Sequence, residues 1–499
     1  MSFSVSFPMA TSTPFLLLVL HLCSGSLGQL PEDLTIGTLN GKVRGTRLWP
    51  LATVEINLLK SPSEGFIHSH TFVFSSTQFD ITMFFFSCNR LGALGFLSLP
   101  ENDNIRGNAG LLDQQLALRW VADNIAFFGG DSSKVTLFGE SAGAASVGFH
   151  LLAPSSHGLF PVSGVPTALW ASLSQRETWK RWSLSLASLL GCPRSPAADL
   201  ERCLQRVDRV DIVTKQFQVL PEASILAAPF APSADGLFLP DEPEVCVLLK
   251  TGNFTKIEVL FGLNQNEGTS FLVHGMPGYS LAGESPISRK LFIEGIPLAL
   301  PGTSNITKEA VIFQYTSWSE VDNEVKNRDA MGDLFGHRFI SCPTLEFARR
   351  YSEHGGKAFF YLFDHRSSAS PWPAWMGVMH ACEIEFVFGM PLNASLKYTE
   401  REVNMSRSIM KQWANFARTG NPSNSGVPWP LFQAESQFYL TLNTNQPLQR
   451  SKMIAQQCQF WTNLVPKIQG VSGMDLCSFS LCIYSNDILI LFLYLKRKA

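Results

Sequence analysis

The sequence predicts an α/β protein built on a largely parallel sheet, and three observations predict it. The first is the stretch 135–145, V-T-L-F-G-E-S-A-G-A-A. Residues 135–138 have the length and composition of a buried strand; Gly139 breaks it, and small helix-compatible residues follow from Ala142. The second is an amphipathic helix over 111–127, where Leu112, Leu116 and Trp120 recur every fourth residue beside Val121 and Ile125. Gly129-Gly130 ends that helix and Asp131 opens the turn into the next strand. The third is the alternation further on: helical patterns at 179–190 and 401–418, with Ile409, Trp413 and Phe416 on one side of the latter, and strand patterns at 257–262 and 358–363. Helix, strand, turn and helix in succession make a βα unit of a parallel sheet.

Strand, Gly-x-Ser-x-Gly, helix is the context of a nucleophile elbow, which would hold the Ser141 hydroxyl exposed at the top of the sheet. The pentapeptide alone arises by chance in unrelated chains; its place between these two elements gives it meaning. With 499 residues the chain can bury a large core, and no repeat or low-complexity linker divides it, so one catalytic domain is expected. A net charge of −2 with 16% charged residues gives no basic surface for nucleic acid and no acidic one.

Residues 1–28 read as a secretory signal peptide: an apolar run at 15–23 followed by small residues, although the usual positive charge before it is missing. Sequons at Asn253, Asn305, Asn393 and Asn404 agree with export and glycosylation. Residues 35–45 read as a hairpin turning at Asn40-Gly41. The stretch 46–86 has apolar runs without clean periodicity, so strands are expected there without a register. His68 and His70 share one face of such a strand, but no cysteine or carboxylate pattern nearby completes a metal site. Neither metal nor cofactor is expected.

A serine nucleophile needs a base, and the base an orienting acid. After the elbow the histidines are His150, His157, His274, His337, His354, His365 and His380. His380 is set in a Pro/Trp-rich, loop-like stretch just before Glu383 and Glu385, where catalytic groups tend to lie. Asp235, Glu267 and Asp364 are the acids that follow strand-like or turn segments, and chemistry alone favours Glu267, just after the strand at 257–262, only slightly.

From residue 91 to about 467 the chain resembles the cholinesterases, within the type-B carboxylesterase family. The matching stretches are F-G-E-S-A-G-A-A-S-V at the elbow, N-E-G-T-S-F-L-V around Glu267, W-M-G-V-M-H and E-I-E-F-V-F-G around His380, and W-A-N-F-A-R-T-G-N-P from Trp413. The hairpin N-G-K-V-R-G is similar too. The resemblance implies an α/β-hydrolase domain over 29–467 with a mostly parallel central sheet and an atypical or truncated N-terminal part. It implies Ser141 as nucleophile, Glu267 as acid and His380 as general base, with the Ala142 amide in the oxyanion hole. It places Glu140 near a cationic-substrate site, and Trp170, Leu226, Ala228, Phe271 and Phe339 along the acyl pocket and gorge. Small or aliphatic Leu226 and Ala228 look more like the butyrylcholinesterase branch. Disulfides Cys192–Cys203 and Cys342–Cys458 are implied by the same resemblance.

Some features depart from that pattern. The family's Gly-Gly-Gly-Phe-type loop, whose amides complete the oxyanion hole, has no counterpart in 46–86; nor has the disulfide loop carrying the choline-binding tryptophan. Trp49 is the only tryptophan there. The stretch 160–170 is shortened, and Cys382 replaces an aromatic residue after the histidine. With Cys23 in the leader, Cys88, Cys246, Cys382, Cys477 and Cys482 form an odd remainder, which predicts a homodimer linked through Cys477 or Cys482. Residues 468–499 read as an atypical tail whose apolar run 488–495 is too short to span a bilayer, so a membrane anchor is not expected. The expectation is a secreted serine hydrolase acting on small carboxylic esters, with little preference for choline because the aromatic face for a quaternary ammonium is missing. The alternative is a non-catalytic protein of the same fold that acts through protein interaction.

Overall fold

The computed structural model describes residues 34–39, 41–45, 52–57, 69–77, 80–87, 89–99, 102, 104–128, 130–156, 176–220, 229–239, 252, 254–424, 426–470 and 492–497. Six strands lead up to and include the elbow strand: β1 (Leu34–Thr38), β2 (Gly41–Gly45), β3 (Ala52–Asn57), β4 (Ser69–Thr77), β5 (Asp80–Ser87) and β6 (Gly130–Phe138). Six follow it: β7 (Glu258–Asn264), β8 (Lys357–Phe363), β9 (Leu431–Phe432), β10 (Phe438–Leu442), β11 (Gln449–Ser451) and β12 (Phe492–Arg497).

The α/β class is borne out. Among the described residues the strands form a hairpin, β1-β2, and two ordered sets, β3-β4-β5-β12-β6 and β11-β10-β8-β7, with β9 on β8. The expectation of parallel strands holds for β7 with β8 and for β8 with β10. The set that contains the elbow strand is antiparallel throughout. For β4 and β5 the reason is local: parallel neighbours need a crossover segment of a dozen or more residues, whereas Thr77 pairs with Asp80 and leaves only hairpin length between them. The stretch 46–86, illegible in its own periodicity, thus supplies three strands. The β1-β2 hairpin closes one residue earlier than its Asn-Gly signal indicated, because Gly41 already pairs with Thr38. The apolar run of the tail contributes β12, seated between β5 and β6.

Around β7 and β8 the side chains alternate between two cores. Val259, Phe261 and Leu263 of β7, with Ala358 and Phe360 of β8, join one cluster that includes Phe292, Phe335 and Phe347. Leu260, Phe359, Tyr361 and Phe363 join the other, with Phe386, Ile409 and Phe416. This period of two, apolar on both faces, is what a strand covered on both sides requires. At Gly262 a Cβ would run into the Tyr361 ring of the neighbouring strand, so glycine makes room for the tyrosine.

Helix Ala109–Asn124 packs Leu111, Ala117, Leu118, Trp120 and Val121 inward. Leu116 is instead 55% exposed, so the buried face is offset from the every-fourth-residue stripe read in the sequence. Arg90, just after β5, donates from Nε and Nη2 to the two oxygens of Asp113 at 2.8 and 2.7 Å, and so joins the strand's exit to this helix. The helices Arg176–Leu189 and Glu400–Thr419 lie where the pattern placed them. No helix among the described residues is long and apolar enough to cross a membrane.

Candidate active site

β6 ends at Phe138, and helix Ala142–Leu152 begins three residues after Gly139. Ser141, between them, has φ 54° and ψ −123°, a strained conformation for a residue with a side chain. The turn survives because its neighbours are small. A Cβ on Gly139 would strike the backbone of Gly143, whose amide donates to the Glu140 carbonyl at 2.8 Å. Ala142 opens the helix, so its amide is one of the N-terminal N–H groups that the helix leaves without an internal acceptor.

His380 Nε2 lies 2.9 Å from Ser141 Oγ, and His380 Nδ1 lies 2.6 Å from Glu267 Oε2. The acid is held from behind: Glu267 Oε1 accepts from the Asn264 amide, at the end of β7, at 2.6 Å. Two loops carry Glu267 and His380, and they are laced together. The Asn266 amide donates to the Val378 carbonyl at 2.8 Å, the Val378 amide to Asn266 Oδ1 at 3.0 Å, and Thr269 Oγ1 to the Met376 carbonyl at 2.7 Å. Gly268 abuts Gly332 and Gly336, which lets helix Glu324–Gly336 press against the acid's loop.

The other histidines are accounted for. His150 is fully buried between Ser156 and Gln114, and burial lowers its pKa to about 3. Burial likewise takes His337, beside the Tyr315 hydroxyl, down to about 4. His365 pairs with Glu402, His354 packs on Phe254, and His274 is exposed. His157 lies outside the described residues. Among the acids, Asp235 Oδ1 accepts from the amides of Leu237, Phe238 and Leu239, and Asp364 accepts from Asn443.

Three carboxylates surround His380. Besides Glu267, Glu140 Oε1 lies 3.1 Å from Nε2. Burial alone would lower the imidazole pKa, but Glu140, Glu267 and Glu383 outweigh it and raise it to about 10. The Glu383 carboxyl is itself pushed up by burial and by Glu267, against a 2.6 Å bond from Asn264 Nδ2. Cys382 is a free thiol, pushed up to about 12 by burial, then by Glu383 and Glu385, so it stays protonated.

Phe271 stands with its ring 5.3 Å from that of His380. Phe339 is buried in the π-helical turn His337–Ser341 against Phe335, with centroids 5.2 Å apart. Trp170, Leu226 and Ala228 lie outside the described residues, as does Asn253. Both disulfides implied by the resemblance are present, Cys192–Cys203 and Cys342–Cys458. What sequence reasoning missed is the contact of Glu140 with His380 and the bracing by Asn264 and Asn266. Glu383, at i+3 from His380, carried a local signal; the asparagines carried none.

An elbow between a strand and a helix, followed along the chain by an acid and a histidine in contact with the serine, defines an α/β hydrolase. The chain belongs to the Carboxylesterase family, whose family model matches residues 87–461. A cholinesterase of Mus musculus is 47% identical over 391 residues, covering 77% of this chain and 64% of that protein. An acetylcholinesterase of Bungarus fasciatus is 46% identical over 387 residues, 76% of this chain and 63% of its own length. One from Electrophorus electricus is 41% identical over 423 residues, 77% and 66%. The chain thus spans just under two thirds of the length of these relatives.

Proposed function

We propose that the chain is a serine hydrolase that cleaves small carboxylic esters through an acyl-enzyme. The observation that carries this is the hydrogen-bonded line Ser141–His380–Glu267, at 2.9 and 2.6 Å, starting from a strained elbow serine. Ser141 Oγ attacks the ester carbonyl while its proton passes to His380 Nε2. The carbonyl–alkoxide bond then breaks and the same proton leaves with the alcohol. Water repeats the sequence on the acyl-serine and releases the acid and free Ser141. Glu267 holds the imidazole orientation and balances the imidazolium charge. The Ala142 amide supplies one donor to the oxyanion.

Export and glycosylation belong to the same proposal. Two disulfides suit an oxidising compartment, and Asn305, Asn393 and Asn404 are all exposed. The dimer through Cys477 or Cys482 rests on residues outside the described set. The second reading, a non-catalytic interaction protein, is favoured by one observation: 46–86 contributes antiparallel strands and holds a single glycine, Gly65, with no glycine loop to give further oxyanion donors.

A fluorophosphonate probe separates the two. Ser141 is expected to be labelled, and Ser141→Ala is not. Ester turnover is expected to be slow, since losing one oxyanion donor costs about 10²–10³ in kcat. Butyrylthiocholine and an uncharged thioester of equal acyl size are expected to be cleaved alike. Absence of labelling at Ser141 would move the protein to the interaction class.

A further inference from the structure

We infer that β12 is a positioning element for Ser141, an inference that rests on Ser141 being the nucleophile. Among the described residues β12 is the only strand hydrogen-bonded to the elbow strand β6. It lies antiparallel to β6, with Phe492 opposite Phe138, Leu493 opposite Leu137, Tyr494 opposite Thr136 and Leu495 opposite Val135. Its other edge pairs with β5, from Leu493 opposite Phe85 to Lys496 opposite Thr82. It therefore bridges two strands that are not hydrogen-bonded to each other.

Ser141 follows Phe138 by three residues, so the elbow is as fixed in space as the end of β6. A φ of 54° with ψ −123° persists only where the surroundings over-determine the backbone. On the helix side the Gly139–Gly143 contact and the Glu140 carbonyl do this. On the strand side the anchor is the ladder to β12, which also satisfies backbone groups of β6 that would otherwise stand open.

Direction matters as well. In this fold the second oxyanion amide comes from a loop that follows a sheet strand at the elbow edge. β12 runs the other way: its first residue, Phe492, is level with Phe138, and its C-terminal end pairs Arg497 with Gly130, the far end of β6. The strand thus anchors the elbow, and its own C-terminal end lies at the end of β6 far from Ser141. The site keeps its geometry, and the C-terminal end of β12 is not where an oxyanion donor is needed.

The test uses the full chain. Tyr494→Pro removes a ladder N–H and disrupts the strand, whereas Tyr494→Val suits a strand. Fluorophosphonate labelling of Ser141 is followed well below the unfolding midpoint, with circular dichroism to confirm folding. Tyr494→Pro is expected to slow labelling by on the order of 10- to 100-fold, the scale of a misplaced reacting group, and Tyr494→Val to leave it unchanged. In parallel, Leu137→Cys with Leu493→Cys, and Thr136→Cys with Tyr494→Cys, are examined for a disulfide by peptide mapping. Adjacent pairs alternate between wide and narrow spacing, so one double variant is expected to close within a single chain. Wild-type labelling rates in a folded Tyr494→Pro variant would overturn the inference. So would a disulfide found only between two chains, or in neither double variant. If Tyr494→Pro does not fold, the disulfide arm decides. An unlabelled wild type would instead remove the nucleophile reading, and the disulfides would still report whether β12 is seated.

Discussion

His380 has a carboxylate at each ring nitrogen, Glu267 at Nδ1 and Glu140 at Nε2. A base must be neutral to accept a proton, yet these charges raise its pKa to about 10 in spite of burial. The rate of Ser141 labelling is therefore expected to climb with pH through the alkaline range, and Glu140→Gln to move that limb to lower pH. A pH–rate profile for the two proteins decides it; an unmoved limb would mean that Glu140 does not charge-couple to the imidazole. Stability runs the opposite way. A folded pKa above the unfolded value of about 6.5 gives a contribution fully present below that pH and lost as pH rises through about 10. Of this site, Ser141 was legible from its own neighbours. Glu267 and His380 were decided through resemblance, because the local signals, a loop-like setting for His380 and a preceding strand for Glu267, do not by themselves exclude a structural histidine or the acids Asp235 and Asp364. The Glu140–His380 contact was hidden, since it joins residues far apart in the chain.

At the scale of elements, helix Glu400–Thr419 shows what a sequence discloses. Its apolar period and its Thr399-x-x-Glu402 start are written locally, and both halves of the capping box form. Glu402 does more than cap. Its carboxylate also accepts from the Ser368 amide at 2.6 Å and from His365 Nε2 at 3.0 Å, which fastens the helix to the segment that follows β8. Burial pushes its pKa up, but the bonds from Ser368, Thr399 and His365 prevail and hold it down to about 2. Glu402→Ala is expected to cost roughly 3 kcal/mol, a lost cap plus orphaned buried donors. Urea unfolding measures it, and a loss within ordinary surface-mutation range would refute it. The wild-type contribution is present above the ordinary carboxylate range and is lost as pH falls through about 2. Strands β7 and β8 and the apolar end of β6, residues 135–138, were legible for a similar reason; the start of β6, residues 130–134, is small or polar and read as a turn opening at Asp131. By contrast β3, β4, β5 and β12 were not, because their identity comes from the strands they pair with.

Across the whole molecule, Cys342–Cys458 spans a separation of 116 residues and joins helix Cys342–Glu353 to helix Ala455–Gln459. Closing so long a loop restricts the unfolded chain, by roughly 4–5 kcal/mol in the entropic account. Replacing both cysteines by alanine is expected to lower stability more than the same change at Cys192–Cys203, whose separation is 11. Denaturant unfolding of the two double variants ranks them, and the reverse order would show that native-state strain outweighs loop closure. The ladder between Phe138 and Phe492 closes a far longer loop without any covalent bond. During synthesis the elbow strand emerges early, and its partner only after all of the intervening chain has been made. Until then one edge of β6 and one of β5 stand open, and open edges invite pairing with the wrong strand. Contacts of such high sequence separation form late and slowly. A nascent copy therefore passes through a long interval in which its elbow serine exists but has no finished sheet to stand on, and in that interval its yield depends on protection from aggregation.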